Sequence, residues 1–146
     1  MSDFRNVKGM VAIVTGAARG IGFSAAETFA SEGIHVVMSD ILPILDESCE
    51  KVKKTYPEVQ VYAKAADVSA EAAVKALVDF TIEIVGKLDI MVNTAGLHME
   101  TGNVWETDMA KVDKILGVNL KGQFHGCKYA AQQMIKQKSG TIVNIG

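Results

Sequence analysis

The stretch that most constrains this chain is Val11-Ala12-Ile13-Val14-Thr15-Gly16-Ala17-Ala18-Arg19-Gly20-Ile21-Gly22. An apolar, β-branched run stops at three glycines, and a helical pattern begins directly behind them. A short buried strand that turns tightly into a helix aims free backbone N–H groups and the positive end of a helix dipole at one spot. That spot suits a phosphate. The glycines are spaced G-x-x-x-G-x-G rather than the G-x-G-x-x-G of the common dinucleotide fingerprint. Their meaning therefore depends on what the rest of the chain brings beside them.

Residues 10–15 read as a first strand with apolar residues on both faces, as in a parallel sheet covered on both sides. A helix follows from Gly20 to about Glu32, with Phe23, Ala26, Phe29 and Ala30 on one face and Gly33 at its C-terminal stop. Residues 34–38 form a second buried strand closed by Ser39-Asp40, with His35 in a structural place. Pro43 opens a helix through Lys54, whose stripe Leu45, Cys49, Val52, Tyr56 is one-sided. Its charged residues form the solvated face. Residues 59–65 alternate apolar and polar, which suits a strand near a sheet edge. Ser69 is placed to N-cap a helix running to about Val85 along Ala73, Leu77, Phe80 and Ile84. Residues 88–92 are strand four, followed by Asn93-Thr94-Ala95-Gly96 and a loop over 97–104. Two helices are then expected, from Glu106 to Gly117 with Trp105, Met109, Val112 and Leu116 in line, and from Asn119 to Lys138 with Leu120, Phe124, Cys127, Ala131 and Met134 in line. Residues 141–145 read as strand five.

This alternation of strands and helices, without hairpin signals, predicts an α/β fold, a Rossmann-type doubly wound parallel sheet. Right-handed crossovers that reverse direction before strand four give the order 3-2-1-4-5, and the reversal opens a crevice at the carboxyl ends of strands one and four. The 146 residues fit one dinucleotide-binding domain, 1–146. A net charge of −2 gives no electrostatic case for nucleic acid or an anionic membrane. No apolar run reaches the roughly 20 residues of a membrane span, and Met1 to Lys8 lacks the apolar segment of a secretory signal. Cys49 and Cys127 fall in no C-x-x-C, so no metal site is expected and the cytoplasm is the default location, an organelle being the alternative.

Asp40 closes the second strand at the roughly 20-residue offset where an acidic residue accepts from an adenosine ribose 2′-hydroxyl. A 2′-phosphate would meet like charge there, which favours NAD over NADP, although Arg19 in the loop is able to reach a phosphate. Taken together, Thr15-Gly-x-x-x-Gly-Ile-Gly22, Asp67-Val68, Asn93-Thr-Ala-Gly96 and Asn119 in a helix resemble the amino-terminal portion of a short-chain dehydrogenase/reductase of the compact NAD(P)-dependent type. One departure is Thr94, where the family more often carries Asn. The resemblance implies that Gly16, Gly20, Ile21 and Gly22 form the pyrophosphate loop and that Asp40 holds the adenosine ribose. It assigns Asp67 and Val68 to the adenine, and Asn93, Ala95 and Gly96 to the wall near the cofactor riboses. Asn119 matches a helix asparagine that helps hold a proton-relay water. The activity implied is hydride transfer between nicotinamide and a small alcohol or carbonyl substrate.

Such chemistry needs a group that exchanges a proton with the substrate oxygen. The family uses Tyr-x-x-x-Lys and a serine after strand five. Here Tyr129 is followed at that offset by Gln133, Tyr56 by Gln60 and Tyr62 by Ala66. The catalytic Ser, Tyr and Lys are absent, so a form truncated after strand five, inactive alone and with strand five as an uncovered edge, is expected. The competing expectation is a non-catalytic truncated form acting as a nucleotide-binding or subunit-interaction module, for example by pairing with a full-length subunit through residues 105–138; a homo-oligomer through the same helices is expected of the enzyme. A methyltransferase on the same sheet fits poorly, because strand one carries no acidic residue before its glycines. His98 is expected in an exposed loop, and no partner is identified for His125.

Overall fold

The computed structural model describes residues 6–100 and 102–146; the first five residues of the expected domain, and Thr101 in the loop after strand four, lie outside the described residues. Five strands form one parallel sheet in the order β3-β2-β1-β4-β5, as the crossover rules predict. They are β1 (Val11–Thr15), β2 (His35–Ser39), β3 (Val61–Ala63), β4 (Ile90–Asn93) and β5 (Thr141–Asn144). The helices are α1 (Gly20–Ser31), α2 (Leu45–Thr55), α3 (Glu71–Val85), α4 (Met109–Leu116) and α5 (Gly122–Gln137).

Strand β1 is fully buried because it is the middle strand and both of its faces are covered. Val14, Met38 and Val92 turn toward α1 and α2, whereas Ile13, Val37 and Met91 turn toward α3 and α5. Each of these side chains contributes roughly 1.5–3 kcal/mol by leaving water. The one-sided stripe of α2 is borne out: Leu45, Cys49 and Val52 are buried. Burial also raises the Cys49 thiol pKa above its ordinary value, the nearby Lys53 opposing the shift. His35 is structural, its Nδ1 accepting from the Gln60 N–H at 2.9 Å, which ties β2 to the turn before β3.

Several local expectations are corrected. The expected helices over 106–117 and 119–138 are one continuous rod, because Gly117 stays right-handed helical and a π turn (Gly117–Lys121) joins α4 to α5. A 3₁₀ turn over Val104–Glu106 precedes the rod, and Asp108 caps α4 by accepting from the Ala110 N–H at 2.9 Å. Ser69 does not cap α3. Its N–H and hydroxyl both donate to Asp67 Oδ1, at 2.9 and 2.7 Å, and Ala70 takes the cap position. Helix α2 starts two residues past Pro43, because the Ile41 and Leu42 N–H groups are held by Asp40 Oδ1 in a preceding turn.

The largest correction concerns α5. Its buried face is Gly122, Gly126, Ala130 and Met134, while Leu120 and Phe124 are 51% and 68% exposed. The helix lies so close to the sheet that only small residues fit between: a Cβ at Gly126 would stand 1.9 Å from Asn93 Oδ1. In α3 the buried set is Val74, Leu77, Val78 and Thr81, with Ala73, Phe80 and Ile84 at its margin. Strand β5 pairs with β4 and forms one end of the sheet, its residues largely exposed.

Candidate functional site

At the carboxyl ends of β1 and β4, where the strand order reverses, a cleft of about 580 Å³ opens. Its floor and walls bring together Gly16, Asp40, Asp67, Val68, Ala95 and Gly96, drawn from the loops after four different strands. The glycine loop shapes the floor. Gly16 has φ +67°, and a Cβ there would stand 2.8 Å from Ala95 Cα, so the residue must be glycine for conformation and for space alike. Gly20 has φ +59° with nothing within 4 Å of a Cβ, so its constraint is backbone shape alone. Gly22 packs against the carbonyl of Gly16 and closes the turn from inside. Helix α1 starts at Gly20 with no side-chain cap hydrogen bond, and Gly20 borders a shallow hollow beside the cleft rather than the cleft itself.

Asp40 is the most connected acidic group here. Its Oδ2 accepts from Ala18 N–H at 3.0 Å, and its Oδ1 accepts from Ile41 and Leu42 N–H at 2.7 and 3.1 Å. The carboxylate thus pins the glycine loop to the end of β2. With about four lone-pair sites on a carboxylate, three contacts leave acceptor capacity on a group that lines the cleft. Arg19 lies outside this cleft. It is exposed and borders a separate shallow hollow with Ser48 and Lys51. Ile21 is 67% exposed on the first turn of α1 and does not line the cleft.

Asn119 fastens the wall after β4. Its Oδ1 accepts from Leu97 N–H at 2.7 Å and its Nδ2 donates to the Leu97 carbonyl at 3.0 Å. Asn93 departs from its expected place. It is 3% exposed and absent from the lining, and its Nδ2 donates to Asn144 Oδ1 at 2.8 Å. The physical reason is strand alternation: Asn93 shares the face of Met91, toward α5, while the cleft is built by the residues after it.

Thr15 carries a role that its place in the glycine motif does not reveal. The buried hydroxyl accepts from the N–H groups of Thr94 and Ala95, at 3.1 and 3.2 Å, and donates to the Val92 carbonyl at 3.4 Å. It uses its whole hydrogen-bonding capacity to hold the end of β4 against the end of β1. The available signal was a hydroxyl at the last residue of an otherwise apolar strand. His98 is exposed, as expected. No cluster of three or more His, Cys, Asp or Glu able to hold a metal occurs among the described residues, and no described helix is long and apolar enough to cross a membrane.

A parallel sheet with this order, a glycine turn into a helix and a cleft at the reversal define a dinucleotide-binding class of α/β protein. A family model described as short chain dehydrogenase matches residues 10–146, and the chain belongs to that family. It is 41% identical over 143 residues to an uncharacterized oxidoreductase of Thermotoga maritima, covering 96% of this chain and 54% of that protein. The crystal structure of NAD+-bound xylitol dehydrogenase superposes with a TM-score of 0.89 at 32% identity, covering 94% of this chain and 52% of that one. A short chain dehydrogenase/reductase from Burkholderia phymatum in complex with NAD gives 0.90 at 33% identity, covering 95% and 49%. The chain spans about half the length of the curated relatives it matches.

Proposed function

We propose that this chain is the cofactor-binding portion of an NAD(H)-dependent alcohol or carbonyl oxidoreductase. The observation that carries the proposal is the convergence of Gly16, Asp40, Asp67, Val68, Ala95 and Gly96 on one cleft at the strand reversal. The glycine loop and the uncapped start of α1 would hold a pyrophosphate, with Gly16 lining the cleft and Gly20 lying beside it on the hollow that Arg19 borders. Asp40 would accept from a ribose hydroxyl and oppose a 2′-phosphate, which sets NAD above NADP. Asp67 and Val68 would flank the adenine. Nicotinamide, when bound, supplies or accepts the hydride.

Calorimetric titration with NAD(H) and NADP(H) tests the assignment. Tighter binding of NAD(H) is expected; tighter NADP(H) removes the role given to Asp40, and binding of neither removes the cofactor. The 146 residues include no Tyr-x-x-x-Lys, so the chain alone is proposed to turn over no alcohol or carbonyl. Reduction of NAD above a protein-free blank overturns that. Residues 1–146 are proposed to belong to one dinucleotide-binding domain, not complete within them, and to act in the cytoplasm, in keeping with the free thiols Cys49 and Cys127.

A second reading, a subunit-interaction module, is favoured by one observation. Trp105, Met109, Leu120 and Phe124 are each more than half exposed along the 105–138 segment, and apolar groups gathered on a surface mark interaction sites. A homo-oligomer through this segment is expected to shield Trp105 from iodide quenching as concentration rises. Concentration-independent quenching of a sedimenting monomer refutes it.

A further inference from the structure

The two walls of the cleft are fastened from one helical rod. Asn119 in the π turn holds Leu97 on the wall after β4. On the other wall, His125 Nδ1 in α5 lies 2.8 Å from the carbonyl oxygen of Val68. A carbonyl only accepts, so Nδ1 carries the hydrogen and donates. The approach is possible because position 122, one turn earlier, is glycine: a Cβ there would stand 2.7 Å from Val68 Cγ2. The peptide unit between Val68 and Ser69 is consequently held at both ends. Its carbonyl is bound by His125, and its N–H donates to Asp67 Oδ1 at 2.9 Å. A peptide plane with both groups engaged cannot rotate about its flanking bonds without breaking one of them. Val68 is 9% exposed and lines the cleft beside Asp67.

We infer that His125 is a positioning residue for the adenine side of the cleft. By donating from Nδ1 to the Val68 carbonyl, it fixes the 67–69 backbone against which the base of an adenine nucleotide packs. The inference rests on the cofactor assignment above. His125 does not line the cleft, and its action runs through Val68. A loop already ordered loses less conformational freedom when the base docks, so the hydrogen bond acts on affinity as well as on stability.

The test is calorimetric titration of 5′-AMP and of NAD into purified wild type, His125→Asn, His125→Gln and His125→Leu. The asparagine amide nitrogen falls near the place of Nδ1, whereas the longer glutamine amide reaches the place of Nε2. The Leu and Gln variants are expected to bind 5′-AMP about five-fold more weakly, the effect of one net hydrogen bond, with Asn within about two-fold of wild type. A purely structural role would lower the unfolding midpoint yet leave 5′-AMP affinity of the folded protein unchanged. Equal affinity in all four proteins, or Asn as weak as Gln, overturns the inference while the cofactor assignment stands. Wild type that binds neither ligand overturns the cofactor assignment, and this inference with it. Should the Leu variant fail to fold, the contrast between Asn and Gln decides alone.

Discussion

Replacing Thr15 with valine keeps shape, volume and β-propensity while deleting one hydroxyl. That hydroxyl accepts from two backbone N–H groups and donates to one carbonyl. The carbonyl contact is long at 3.4 Å and counts for little. Each orphaned donor costs roughly 1–3 kcal/mol when buried. Thr94 and Ala95 are half-buried, so water recovers part of this, and the expected loss is about 2–4 kcal/mol in all. For a domain of this size, each kcal/mol lowers Tm by about 4 °C or slightly less. Thr15→Ser retains the hydroxyl and loses one buried methyl, a cost of about 0.8 kcal/mol. Urea unfolding followed by circular dichroism compares the three proteins through their midpoints at equal m-values. A valine variant within about 0.5 kcal/mol of wild type would show that the hydroxyl does not hold β1 to the 94–96 wall.

Other perturbations probe other joints. Gly126→Ala places a methyl on Asn93 Oδ1 and disturbs the Asn93–Asn144 hydrogen bond. Overpacking of about 1–3 kcal/mol, together with the disturbed bond, exceeds the ~1 kcal/mol helix gain of alanine over glycine; a variant as stable as wild type in the same urea assay contradicts the close approach of α5. Thiol modification is expected to be biphasic, with half-exposed Cys127 reacting first and buried Cys49 only on unfolding; a single fast phase for both thiols contradicts that burial. Lys128, and after it Tyr129, hold the Glu71 carboxyl below the usual glutamate range by donating to it. A depressed carboxyl stabilises the fold above its unfolded value and ceases to do so as pH falls through its folded value. Glu71→Gln should therefore flatten the acid limb of the stability–pH curve below about pH 4, and an unchanged limb refutes the tie between α3 and α5.

The sheet order was legible because each strand of the central group is a short apolar run ended by a residue that cannot continue it. Asp40 was legible because its distance from the glycine loop is set by one helix and one strand. Helix α2 could be read from its stripe, since its charged face is unambiguous. Helix α5 could not, for a physical reason: it touches the sheet through Gly122, Gly126 and Ala130 and leaves larger apolar groups outside. A hydrophobicity pattern then points to the wrong face, because steric closeness rather than apolar area decides which residues go in. Asn93 was misplaced for a related reason. A polar residue at a strand end resembles a ligand contact, yet here it spends its amide on the neighbouring strand. The Thr15 and His125 bonds join residues more than 50 positions apart, beyond any local pattern.

Asp40 carries one further implication, for how such a protein changes its cofactor. The same carboxylate that faces the cleft also gathers three backbone N–H groups and anchors the glycine loop. If Asp40 has the cofactor role proposed above, an uncharged small residue at this position would relieve the repulsion of a 2′-phosphate and at the same time release the N–H groups of Ala18, Ile41 and Leu42. Tolerance of a new cofactor and loss of the glycine loop's anchor would then arrive in one substitution. On the proposed reading, a shift of preference from NAD toward NADP would therefore call for a second change that restores an acceptor for the loop.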